Sequence, residues 1–134
     1  MFFAIRRARP RARALHAEIV AAARRPALYT DLGAPDSLDG RYEAIVLHLH
    51  LLLRRLRGSE GDAPLAQALF DVCFKDFERS LREMGVGDQG VPHKIKTMGK
   101  GAYGRFDAYD AGLAAAAAPD ALDAALQRNF YATT

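Results

Sequence analysis

Residues 80–110, SLREMGVGDQGVPHKIKTMGKGAYGRFDAYD, constrain this chain more than any other stretch, because they join two amphipathic helix patterns through a glycine-rich connection. Upstream, Phe70, Phe74, Phe77, Leu81 and Met84 recur at steps of four and three, which puts them on one helical face. Gly85 supplies the left-handed residue that closes a helix, and Val86 stands where a Schellman motif folds an apolar residue back toward Leu81. Gly87 and Gly90 permit positive φ around Asp88, and Pro92 suits the first turn of a new helix, where its missing N–H has no partner to lose. Ile95, Met98, Ala102, Phe106, Tyr109 and Leu113 then mark the buried face of that helix. The local chemistry predicts a helix, a tight turn, and a second helix packed back on the first.

The other segments read the same way. A narrow stripe of Leu15, Ile19, Ala22 and Ala23 predicts a helix from Pro10 to about Arg25, with the residues before Pro10 as a disordered or loosely helical arm. Residues 26–39 read as a loop in which Ser37 or Asp39 caps the next helix. Residues 41–57 are apolar almost all round, so this helix is expected in the middle of a bundle. Arg54, Arg55 and Arg57 complement its negative end, and Gly58 stops it. Asp62 and Pro64 open another helix, which runs to Met84. The alanines at 114–118 are strong helix formers and are expected to prolong the helix that begins at Pro92, before Pro119 and Asp120 start a last one carrying Leu122 and Leu126. No strand-period segment or repeat stands out. The expectation is an all-α, single compact bundle of about five helices built around 41–57 and 65–84, divided as a basic arm at 1–14 and one helical domain at 15–134.

With 134 residues, half of them hydrophobic, the chain is long enough to bury a core. Its formal net charge is only +3, yet Arg6, Arg7, Arg9, Arg11 and Arg13 are crowded into the first thirteen positions. A solvated tail, an electrostatic anchor on anionic lipid and a contact for RNA phosphates are the three readings of that arm. A single cysteine, Cys73, excludes an internal disulfide and points to a reducing compartment. The longest apolar run, 44–53, is interrupted by His48 and His50 and is far short of the roughly 18 residues a membrane span needs. No secretory signal is legible.

Chemistry-bearing constellations are few. The turn at 85–90 lacks the preceding strand and the Gly-Lys-Ser/Thr ending of a phosphate-binding loop. His48 and His50, two apart, diverge on a helix and read as a buried or half-buried pair, and His16, His93 and Cys73 offer no ligand spacing to them. Cys73 lies between two apolar stripes, Ser80 has no histidine near it, and Glu43, Asp71, Asp76 and Glu78 read as helix-surface charges. No enzyme, metal or cofactor is called for. Gly99, Gly101 and Gly104 within one helix suggest a close backbone approach, internal or from a client helix, beside a stripe of Lys96, Lys100, Tyr103 and Asp107.

The segments SLREMGVGDQGVPHKIKTM and AYGRFDAYDAGL resemble the signature of the ubiquinol–cytochrome c chaperone family, and PALYTDLGAPDSLDGRYEAIVLHLHLLLRRLRG and ALDAALQRNFY extend the likeness in order from Leu15 to Tyr131. The resemblance implies an α-helical assembly factor that holds newly made cytochrome b while respiratory complex III is built. Its expected place is the cytoplasmic or matrix-side face of the inner membrane, peripheral to it. Arg82, Glu83, Asp88, Lys94, Lys96, Lys100, Tyr103 and Arg105 are the candidate client surface. Members of the family usually continue beyond the position of Tyr131; a missing final helix would expose an apolar groove that a second copy fills as a homodimer. Mitochondrial relatives are thought to act at the ribosome. The rival readings are a ribosome- or RNA-associated basic helical protein and a lipid-binding helical bundle at the membrane surface.

Overall fold

The computed structural model describes residues 1–59, 61–114 and 116–132. Among them the chain forms six helices and no strand: α1 (Phe2–Ala23), α2 (Pro26–Thr30), α3 (Leu38–Arg57), α4 (Ala63–Glu83), α5 (Gly90–Leu113) and α6 (Ala121–Asn129). The architecture is all-α, as the periodicity predicts. These helices build two compact units, one from Met1–Glu18 and Leu51–Gly101, the other from Ile19–His50 and Ala102–Thr134.

In the first unit α4 supplies most of the core. Leu65, Ala68, Leu69, Cys73, Phe74, Phe77 and Leu81 are buried, with Ala12 of α1 and Val91 of α5. Phe70 stacks on Phe74 at 4.5 Å, and Phe74 meets Phe77 edge to face at 5.2 Å. The end of α4 closes as its sequence requires. Gly85 takes φ +91°, its N–H reaches the Arg82 carbonyl at 3.0 Å, and the Val86 N–H reaches the Leu81 carbonyl at 3.0 Å. This is the 5→2 and 6→1 pair of a Schellman motif. Gly87 and Gly90 do not adopt positive φ; Gly90 is already the first residue of α5, so the turn needs one left-handed residue, not three.

Two boundaries depart from expectation. The arginine arm is helical from Phe2, eight residues before Pro10, which sits exposed inside the helix. The turns before it are held by an inner stripe of Ala4, Ile5 and Ala8, partly covered, leading to buried Ala12. At the other end α5 stops at Leu113, and Ala114 and residues 116–118 are bend, turn or irregular; Ala115 lies outside the described residues. Helix propensity of a few alanines is overridden here by packing. A Cβ on Gly112 would stand 2.8 Å from the Leu122 Cα, so the backbone of α6 crosses at this glycine and the chain must turn to reach it.

The second unit is centred on Ala23, Ala34, Ala44 and Phe130, with Leu28, Tyr29, Ile45, Leu47, Leu126 and Tyr131 packed around them. Residues 26–39 are not wholly loop, because Pro26 starts the five-residue α2. The Tyr29 hydroxyl donates to the Ala23 carbonyl at 2.7 Å and that of Tyr131 to the Leu32 carbonyl at 3.0 Å, tying down the connection. Ser37 caps α3 by accepting the Gly40 N–H at 3.0 Å. Gly40 also lies against Pro35, whose carbonyl oxygen would be 1.9 Å from an added Cβ. The expected all-round burial of α3 holds only as far as His50. Leu51 is 48% exposed, and Leu52, Leu53 and Leu56 are partly covered.

Candidate functional site

Three features carry chemistry: a buried polar cluster in the second unit, a cleft in the first, and the exposed end of the α4–α5 connection.

The cluster arises from helical register. Glu43 and His50 are seven apart on α3 and share its buried face. Arg105, Phe106, Tyr109 and Asp110 lie on neighbouring turns of α5. Both Glu43 carboxylate oxygens accept from Arg105, Nε and Nη2 each donating at 2.6 Å, and the guanidinium lies 5.9 Å from the Tyr42 ring centre. That bidentate bond makes Arg105 hold its proton more firmly than an ordinary guanidinium. Next to it, His50 Nε2 lies 2.8 Å from Asp110 Oδ1. A carboxylate only accepts, so Nε2 carries the hydrogen. The His50 ring stacks on Phe106 at 5.7 Å and tilts against Tyr109 at 5.4 Å. Burial, aided by the Glu43 charge, pushes the Tyr109 phenol up to about 12. The Tyr109 hydroxyl and His50 Nδ1 are buried without a hydrogen-bond partner among the described residues.

Sequence reasoning misses this cluster by reading Glu43 as a surface charge. Glu43 is 2% exposed and carries the innermost carboxylate of the unit. The signal that could have found it is its spacing of three and seven from Val46 and His50, which are both buried. His48, half-buried, donates Nδ1–H to its own helix at the Ala44 carbonyl, 2.7 Å away, so the two histidines do diverge as expected. The cluster sets α5 against α3 within this unit. It presents no nucleophile.

The cleft, about 750 Å³, lies in the first unit between Arg9, Arg13 and His16 of α1 and Asp71, Lys75, Asp76, Glu78 and Arg79 of α4, with Val72, Phe74 and Ile95 also lining it. His16 Nε2 is 3.8 Å from Asp76 Oδ2. Asp76 also pairs with Arg79. Arg82 donates to Glu78 at 2.8 Å and holds that carboxyl below the usual carboxylate range. Cys73 is fully buried, and burial, reinforced by Asp76, pushes its thiol up to about 12, which removes it as a nucleophile at neutral pH. Among the described residues no group of three or more histidine, cysteine, aspartate or glutamate side chains is placed to hold a metal ion.

The expected client surface divides between the units. Arg82, Glu83, Asp88, Lys94, Lys96 and Lys100 are all exposed in the first, with Arg82 Nε 3.6 Å from Asp88. Tyr103 and Arg105 belong to the second, where Tyr103 is exposed and Arg105 is engaged by Glu43. The structure adds Met84. Expected on the buried stripe, it is 51% exposed, because α4 ends at Glu83 and the chain has begun to turn. Gly99 and Gly104 show no neighbour within 4 Å of an added Cβ, so neither is a point of internal close approach.

Comparison with known proteins decides the family. The family model described as ubiquinol–cytochrome C chaperone matches residues 30–134. The chain belongs to the ubiquinol–cytochrome c chaperone family. A crystal structure of the Cbp3 homolog from Brucella abortus is similar at 41% identity and a TM-score of 0.76, over 96% of this chain and 74% of that one. No curated protein matches. For this member of the chaperone family, no described helix is long and apolar enough to cross a membrane.

Proposed function

We propose that this chain holds newly made cytochrome b during assembly of ubiquinol–cytochrome c reductase, respiratory complex III. The observation that carries the reading is the family match over residues 30–134, joined by 41% identity to a Cbp3 homolog along nearly the whole chain. The client surface is the exposed edge formed by the end of α4, the turn at Gly85 and the first turns of α5. Arg82, Glu83, Met84 and Asp88 at the turn, and Lys94, Lys96 and Lys100 along α5, are all exposed. Such a surface suits the charged loops and apolar flanks of a membrane protein, since exposed charge pairs are each worth at most about 1 kcal/mol and release easily. The thioether of Met84 adapts to irregular apolar partners. Holding that is many-pointed and weak is what a chaperone needs when its client must leave for the finished complex.

The test places a photo-crosslinking residue at Asp88, Met84 or Lys96, with Glu18 as control, in cells making cytochrome b. Adducts with newly made cytochrome b are expected at the first three positions and not at the control. Equal labelling at Glu18 would reject the edge, and no adduct at any position of the chain would reject cytochrome b as client.

A further inference from the structure

The cleft of the first unit contains a polar atom that the fold leaves unsatisfied. His16 Nε2 is buried and has no hydrogen-bond partner among the described residues. Asp76 Oδ2 is 3.8 Å away, too far for a hydrogen bond. A buried nitrogen in that state calls for an atom to complete it. Helical register brings two guanidinium groups to the same side. At about 100° per residue, Arg9, Arg13 and His16 fall within about 60° of one another around α1, and all three line the cleft. Arg7 and Arg11 repeat the spacing of four on the opposite face and do not line it. Arg9 and Arg13 are exposed, and the ion pairs of this unit among the described residues engage neither. The α4 wall is matched within itself: Asp76 pairs with Arg79, Glu78 with Arg82 and Lys75, and Asp71 accepts from Gln67. The uncompensated charge of the cleft is therefore positive and lies on α1.

We propose that this cleft binds a small soluble phosphate monoester whose body carries hydroxyl or amino groups, a sugar phosphate or a mononucleotide. The donor set selects the phosphate. A carboxylate has one charge and two oxygens, and a single guanidinium fork satisfies both. A phosphate monoester carries about −1.5 to −2 charges near neutral pH and three terminal oxygens. It matches the two unpaired guanidinium groups and His16, which, with its hydrogen on Nε2, supplies the third donor. Along the axis Arg13 is roughly 4.5 Å from His16 and Arg9 roughly 10.5 Å, gaps that long arginine side chains close by leaning along the helix. The volume selects the body. Inorganic phosphate would leave most of a cleft of about 750 Å³ empty, whereas a compact ester suits it. The lining selects the body's polarity. Among the described lining residues only Val72, Phe74 and Ile95 are apolar, so a lipid tail would lie against charge. The exposed Asp71 carboxylate on the α4 wall accepts instead from the hydroxyl or amino groups of the body. None of the groups that would hold the ester belongs to the client edge.

Calorimetric titration of the full chain with ribose 5-phosphate and with adenosine 5′-monophosphate tests this, with inorganic phosphate, ribose and adenosine as comparisons. Saturable binding of at least one ester is expected, with inorganic phosphate about tenfold weaker or more and no binding of ribose or adenosine. A lost hydrogen bond to a charged group is worth about tenfold in affinity, so Arg9→Gln with Arg13→Gln should weaken the ester about tenfold or more. Both positions are exposed, so the helical circular dichroism should not change. His16→Phe keeps a ring and removes the nitrogen, and should weaken binding about tenfold with the helical signal retained. Arg7→Gln with Arg11→Gln takes the same charge from the same helix on the face turned away, and screening should limit its effect to about threefold. No saturable binding of either ester, inorganic phosphate binding as tightly as the esters (an adventitious ion only), or equal losses in the two arginine double variants would each overturn the proposal.

Discussion

At the scale of single residues, the second unit rests on one carboxylate whose surroundings admit no substitute for its partner. Arg105→Ala strands the Glu43 charge at 2% exposure, and about 3–5 kcal/mol of stability should be lost. Glu43→Ala leaves a guanidinium whose side chain is still 26% exposed, so it can turn to water, and a smaller loss of about 1–3 kcal/mol is expected. Urea unfolding that put the two variants in the opposite order would contradict this account of the pair. Tyr109 makes a second prediction. Its phenol titrates near 12 when folded against 10 when unfolded, so the unfolded chain loses this proton first. The stability linked to it is whole below pH 10 and falls as pH rises toward 12. Tyr109→Phe should abolish that fall and, by removing a hydroxyl without a partner, should be neutral or stabilising by about 1 kcal/mol at neutral pH. Little of this is legible in the sequence. A glutamate on a helix is most often a solvated charge, and only the arginine sixty-two positions later makes its burial tolerable.

At the scale of elements, the amphipathic periods locate α3, α4, α5 and α6, and the turn chemistry of Gly85 and the cap at Ser37 are readable outright. The departures share one cause: packing overrides local signals. Pro10 marks no boundary, since α1 gains its hold from the inward stripe at Ala4, Ile5, Ala8 and Ala12. The alanine run prolongs no helix, since α6 has to cross at Gly112. Glycine substitutions separate these cases. Gly112→Ala and Gly40→Ala drive a methyl into backbone and should each destabilise by about 2–3 kcal/mol. Gly104→Ala meets open space in a helix interior and should raise thermal stability by about 1 kcal/mol. If Gly104→Ala is stabilising as expected yet lowers crosslinking to cytochrome b, the open backbone there is part of what the client touches.

At the scale of the whole molecule, a helical protein of the ubiquinol–cytochrome c chaperone family presents a charged edge at the end of α4 and a cationic α1. The family is recognisable because the likeness runs in order through most of the chain, whereas the surface used for the client is not, since residues that shape a turn and residues that bind through it look alike in one sequence. The sole thiol offers a way to watch this protein at work. Cys73 is completely covered and its proton is held to about pH 12, so a thiol reagent can reach it only when the first unit opens. The modification rate of the unfolded chain, divided by that of the folded protein, is then a protection factor for that unit. A client that binds the closed form should lengthen the labelling half-life by the factor one plus client concentration over Kd, and one that binds an opened form and leaves the thiol accessible should shorten it. Cys73 thus turns the core of α4 into a clock that reads whether the chaperone grips its client shut or open.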